Sequence, residues 1–186
     1  MRSGPRSPNV SNIISETIRV AGIENDSITD GPGLRFTLFV QGCPRVCPGC
    51  HNPQSIPLEG GERYTTEDLI GRIRNNPLLT GVTFSGGEPL IQAVALLPLA
   101  KMIHEDNLDL AIYTGYTFEE ILRENDPEVL ALLSFADILI DGPYIIRKRN
   151  LSLRFRGSGN QRILDVPKSL AAREAVWTDD NDWTGE

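Results

Sequence analysis

The sequence predicts an α/β fold: part of a TIM-type barrel of parallel strands with flanking helices. From about Leu34 onward, segments with period-two apolar patterning alternate with capped helical ones. Alternation of that kind implies a parallel sheet with crossover helices. At 186 residues the chain falls short of the roughly 250 that a closed eightfold barrel takes. Only a partial barrel is within its reach.

The elements follow in order. Leu34, Phe36, Leu38 and Val40 alternate with Arg35, Thr37 and Gln41, the period of a strand. Thr65 and Asp68 form a capping-box start to a short helix through Leu69, Ile70 and Ile73 that stops near Pro77. Residues 81–84 read as a strand running into Ser85-Gly86-Gly87-Glu88-Pro89, and a helix covers about 91–105, with Pro98 kinking it or opening its second half. Residues 108–114 are a third strand. Thr117 and Glu120 cap the next helix, and Asp126-Pro127 starts another. Residues 136–141 form a fourth strand and 161–166 a last one. The domain is expected over 21–170, with a flexible extension at 1–20 and an acidic tail at 171–186.

Composition narrows the function. A formal net charge of −7 argues against nucleic-acid binding, which needs clustered Lys and Arg. No apolar run approaches the roughly 20 residues that span a bilayer, and the N-terminus lacks the apolar core of a secretory signal. A cytoplasmic protein with no membrane partner is expected. Charge is nevertheless uneven. Residues 147–162 carry Arg147, Lys148, Arg149, Arg154, Arg156 and Arg162 without one acid, leaving room for a partner or an anionic group, whereas 178–186 are acidic.

All three cysteines fall in Cys43-Pro-Arg-Val-Cys47-Pro-Gly-Cys50. An odd, tightly spaced set is a poor disulfide framework and a good metal site for a reducing compartment. Thiolates are the usual ligands of iron–sulfur clusters, and a cubane normally takes four. Three would leave one iron open to an outside ligand. The alternative is zinc, with His51 or His104 as fourth ligand. That reading lacks a second ligand pair, and consecutive Cys50 and His51 are awkwardly placed for one tetrahedral ion.

The C-x3-C-x2-C spacing resembles that of the radical S-adenosylmethionine superfamily. Ser85-Gly86-Gly87-Glu88-Pro89, about 35 residues beyond the cysteines, resembles its "GGE" motif, and glycine there would let the backbone approach a ligand closely. Asp30-Gly31-Pro32-Gly33, Phe39-Val40-Gln41-Gly42 and Cys50-His51-Asn52-Pro53 resemble the group that activates glycyl-radical enzymes. Tyr113-Thr114-Gly115-Tyr116, Asp141-Gly142-Pro143-Tyr144 and Arg156-Gly157-Ser158-Gly159-Asn160-Gln161-Arg162 are similar to the activators of the anaerobic ribonucleoside-triphosphate reductase. The wider superfamily often has an aromatic residue just before the third cysteine. Here that position is Gly49.

The resemblance implies a radical S-adenosylmethionine fold and a 4Fe-4S cluster held by Cys43, Cys47 and Cys50. Its open iron would take the amino and carboxylate groups of S-adenosylmethionine. Gly49, Cys50, His51, Ser85, Gly86, Gly87, Glu88 and Thr114 would contact that cofactor, with His51 near the adenine and Thr114 near the ribose. An electron from a flavodoxin-like or other donor would cleave it, and the carbon radical released would take a hydrogen from a glycine of the reductase large subunit. The rivals are activation of another glycyl-radical enzyme such as pyruvate formate-lyase, radical chemistry on a small heterocycle, and a non-enzymatic zinc adaptor.

Overall fold

The computed structural model describes residues 17–185. Seven strands form one sheet: β1 (Thr17–Ser27), β2 (Arg35–Val40), β3 (Glu62–Thr65), β4 (Gly81–Gly86), β5 (Asp109–Tyr113), β6 (Ile138–Asp141) and β7 (Arg162–Asp165). Their order is β3-β1-β2-β4-β5-β6-β7. The strands β2, β4, β5 and β6 are parallel, with Leu38 opposite Phe84 and Phe84 opposite Ile112. The sheet as a whole is mixed. At one side β1 runs antiparallel to both β2 and β3, and at the other β7 runs antiparallel to β6. The sequence reading expected β7 as a last strand at 161–166 but not its antiparallel direction, and it did not expect β1 or β3.

The helices are α1 (Thr66–Arg74), α2 (Ala93–Glu105), α3 (Phe118–Glu124), α4 (Pro127–Leu133), α5 (Val166–Ala172) and α6 (Asn181–Thr184). Local chemistry sets their starts. Thr65 and Thr117 each accept from the N3 amide while Asp68 and Glu120 reach back to the cap amide, so both capping boxes are complete. Asp126 caps α4 ahead of Pro127. Pro98 lies inside α2, and the helix proper starts after a 3-10 turn at Pro89–Gln92. No helix among the described residues is long and apolar enough to cross a membrane.

The main core lies between the helices and one face of the sheet, where Phe36, Leu38, Val82, Phe84, Leu110, Ile112 and Leu139 are fully or almost fully buried. The opposite face is also covered. Ala111, Ile138, Ile140 and Ile163 pack there with Trp183, and Arg35 is buried on it at 1% exposure. Arg35 donates to Thr83 Oγ1 and Val82 O at 2.8 Å and pairs with Asp109. Its guanidinium lies 5.2 Å from the Trp183 ring centroid. The strand read from the alternation of 34–41 is therefore buried on both faces.

The expected domain limits also shift. Of the supposed extension 1–20, residues 1–16 lie outside the described residues, while Thr17–Val20 pair with β3 in register. The acidic C-terminal segment packs back on the sheet. Leu164 bridges to Trp177, and Asp180 caps α6 to bring Trp183, 1% exposed, against the sheet. Backbone bonds to β7 and this apolar side chain together anchor the segment.

Candidate active site

The parallel strands end together at one edge of the sheet, and the loops leaving them carry the chemistry. The cysteine loop leaves β2. Its base is pinned by backbone bonds from Gly42 N to Ser55 O at 2.8 Å and from Cys43 N to Ile56 O at 3.0 Å. Further along, Cys50 N donates to Cys47 O at 3.1 Å, closing the turn. Gly49 makes that turn with φ +74°, where an added Cβ would come 2.7 Å from Ile146. All three thiols are free and partly exposed. Burial pushes the Cys43 thiol up, and the neighbouring Glu88 charge adds to this. A thiolate at that position therefore calls for a cation beside it.

The turn after β4 packs onto the base of the cysteine loop. Gly87 N donates to Val40 O and Glu88 N to Gly42 O, both at 2.8 Å. Gly86 has φ +95°, and a Cβ there would sit 2.6 Å from Phe39 Cα; a Cβ on Gly87 would overlap Gly42 O. The sequence placed these glycines against a ligand. In the fold, what forbids their side chains is the protein's own backbone, because two chain segments cross there without room for a methyl.

Glu88 is fully buried. Its carboxylate accepts from Thr114 Oγ1 and Gly115 N at 2.8 Å and from Leu90 N at 3.2 Å. Burial raises the carboxyl to about 7, against the pull of those hydrogen bonds and of Arg45. Arg45, from the cysteine loop, lies 4.2 Å over the Tyr116 ring and pairs with Glu120 at 2.8 Å. The loops after β2, β4 and β5 are thus joined through one buried acid and one arginine.

These loops surround a cavity of about 700 Å³. Cys43, Cys47, Cys50, His51, Ser85, Gly86, Gly87, Glu88 and Thr114 all line it, so every site residue expected from sequence is there except Gly49, which faces Ile146 instead. His51 packs on Tyr144 with ring centroids 4.6 Å apart. The Thr114 hydroxyl is directed to Glu88.

The sequence reading did not assign Asp30, Tyr113, Tyr144, Arg149, Leu151, Phe155 and Arg156 to the site, yet all line the cavity. The signal was present for several, since Asp30, Tyr113, Tyr144 and Arg156 stand in motifs already singled out. The Arg156–Arg162 segment is indeed a turn into β7, and it also walls the cavity. Its Asn160 Nδ2 donates to Pro143 O at 2.8 Å and Gln161 Nε2 to Gly142 O at 3.2 Å. Arg162 bonds the buried Asp141 and, at 2.7 Å, Glu119.

The donor set can be tested against its two candidate occupants. Among the described residues no three His, Cys, Asp or Glu side chains converge to hold a single metal ion, as a tetrahedral zinc would require. An iron–sulfur cubane carries its irons at separate corners and meets separate thiolates. Three free thiols spread around one side of a cavity, with open space beside them, fit the cluster together with a small-molecule ligand.

Comparison with known proteins agrees with that chemistry. Residues 29–164 match a family described as a 4Fe-4S single cluster domain. The anaerobic ribonucleoside-triphosphate reductase-activating protein of Vibrio cholerae is 36% identical over 144 residues, covering 73% of this chain and 90% of that protein. The pyruvate formate-lyase-activating enzyme of Clostridium pasteurianum is 39% identical over 133 residues, but these cover only 55% of it. Among solved structures, QueE from Escherichia coli aligns over 57% of each chain with a TM-score of 0.46 and 20% identity, a likeness too weak to carry an argument. The chain belongs to the 4Fe-4S single cluster domain family and, within it, to the anaerobic ribonucleoside-triphosphate reductase-activating proteins.

Proposed function

We propose that this enzyme installs the glycyl radical of an anaerobic ribonucleoside-triphosphate reductase, with Cys43, Cys47 and Cys50 holding a 4Fe-4S cluster and the adjoining cavity holding S-adenosylmethionine. The observation that carries this reading is the meeting of three free thiols with the Ser85–Glu88 turn in one cavity. When bound, the reduced cluster supplies the electron that breaks a sulfonium carbon–sulfur bond, giving the carbon radical that takes hydrogen from a glycine. The protein's own part is to orient and to exclude water.

The turn at Ser85–Gly87 offers backbone polar groups to the methionyl end. Glu88 does not contact the ligand directly in this reading; its oxygens hold Thr114 and Gly115, which fixes the spacing between the turn and the ribose side of the cavity. His51, in tilted contact with the Tyr144 ring, faces the adenine. Arg149 and Arg156 line the cavity from the segment between β6 and β7. We read the sheet as an incomplete barrel, open between its edge strands β3 and β7, so that a loop of the protein substrate reaches the cavity. A flavodoxin-like protein in the cytoplasm is the electron donor in this scheme.

The test is electron paramagnetic resonance on the anaerobically reconstituted enzyme with dithionite, S-adenosylmethionine and either the reductase or pyruvate formate-lyase. A glycyl doublet on the reductase supports the proposal. A doublet on pyruvate formate-lyase alone reassigns the partner, and cofactor cleavage with no protein radical overturns the activase reading.

A further inference from the structure

The segment between β6 and β7 crosses the mouth of the cavity. Arg149, Leu151, Phe155 and Arg156 line the cavity, while Arg147 and Lys148 lie beside it in an exposed 3-10 turn at Ile146–Lys148. Among the described residues none of Arg147, Lys148, Arg149 and Arg154 has a carboxylate within ion-pair distance. The chain as a whole carries 25 acids against 18 bases, so the five bases of residues 147–156, with no acid among them, locally reverse its charge.

Large apolar side chains share this rim. Leu151 is 82% exposed, Val46 75% and Ile146 51%, and Ile146 abuts the cysteine loop at Gly49. A group of acids lies at the other end of the parallel strands. Asp109, Asp137, Asp165, Asp179 and Asp180 line a second cavity, about 620 Å³, at the N-terminal ends of β5 and β6. The basic and apolar rim and this acidic cavity lie at opposite ends of the parallel strands.

We propose that the rim formed by Arg147, Lys148, Arg149, Arg154, Ile146 and Leu151 docks an acidic segment of the protein substrate that carries at least one large apolar side chain. This rests on the activase reading above and adds the chemistry of the partner's contact. Unpaired exposed cations beside a functional cavity attract and orient an oppositely charged partner, and exposed leucine and isoleucine favour a polypeptide over a nucleic-acid backbone. A second copy of this chain would bring its acidic end to the rim. That head-to-tail contact would lay one copy over the cavity of the next, so the partner is the favoured occupant.

The test compares the wild-type enzyme with R147E/K148E and with K168E, a same-sign charge change at the acidic end. Association with the reductase large subunit is timed anaerobically at low and high salt, and cofactor cleavage under dithionite without the reductase reports the integrity of the site. R147E/K148E is expected to associate about tenfold more slowly at low ionic strength, with the gap closing as salt rises. Its partner-free cleavage stays at the wild-type rate, and K168E behaves as wild type. The neutral pair R147Q/K148Q, expected between the two, replaces the reversal if that variant folds poorly. Wild-type association kinetics in both rim variants overturn the proposal, as does a change in their self-association with none in reductase binding. If the wild-type enzyme itself does not bind the reductase, the activase reading fails first, and no variant is needed to see it.

Discussion

The Thr114 hydroxyl donates to Glu88 Oε1 at 2.8 Å across the ends of β4 and β5. This bond ties the glycine turn to the loop that follows the next strand, and the acid that accepts it is wholly buried. Glu88 therefore works as a brace whose charge is expensive to keep.

That cost makes the brace visible in pH-dependent stability. The folded carboxyl titrates at about 7 against an ordinary 4.5. Between those values the folded protein holds a proton that the unfolded chain releases, so stability is full below the lower value and falls as pH rises towards the upper one. The fall is on the order of 3 kcal/mol. Urea midpoints measured from pH 4.5 to 7.5 should drop for wild type more steeply than for Glu88→Gln, which has no charge to bury. Parallel slopes for the two proteins would contradict this role.

Each of Cys43→Ala, Cys47→Ala and Cys50→Ala should abolish iron uptake on anaerobic reconstitution while shifting apo-protein stability by no more than about 1 kcal/mol. The three side chains are partly exposed and the loop is held at its base by backbone bonds, so little packing is lost. Iron analysis and thermal melts of the same samples check both halves.

Gly87→Ala should destabilise by about 2 kcal/mol or more, because its methyl group would overlap Gly42 O and push the turn away from the cysteine loop. Gly22→Ala is the control. Nothing lies within 4 Å of a Cβ added there, and the expected change is within about 0.5 kcal/mol. Chemical denaturation of both apo-proteins separates backbone crowding from a general intolerance of alanine.

Trp183→Ala should cost about 3 kcal/mol or more, as for other buried aromatic truncations. Trp183 sits against Phe155, ring centroids 5.3 Å apart, and against buried Arg35. Because Phe155 lines the cavity, the variant should also weaken S-adenosylmethionine binding. An unchanged melting temperature would mean that Trp183 does not anchor the C-terminal segment.

Features governed by a few neighbouring residues were legible in the sequence. Both threonine capping boxes and the Asp126-Pro127 start are local chemistry, and the strands of the parallel core carry concentrated apolar patterning. The cysteine run and the Ser85–Pro89 turn marked the cavity because both follow strands directly. What escaped was set by distant contacts. Strand β1 is interrupted by register shifts near Val20 and Glu24 and ends in Glu24-Asn25-Asp26, which hid its pairing. Burial of Arg35 depends on Asp109 and Thr83, and the anchoring role of Trp183 depends on an inner sheet face that no local pattern reveals. The cavity wall at 149–156 comes from a loop that lies over the site only once β6 and β7 are paired.

The most direct measurement is the paramagnetic resonance spectrum of the reduced, reconstituted enzyme before and after S-adenosylmethionine is added. With three cysteines as its only protein ligands, a four-iron cluster keeps one iron free, so the cofactor should change the g-values of the reduced signal in a sample holding about four irons per chain. An unaltered signal at saturating cofactor in such a sample would mean that no iron is open, and the central claim would fall.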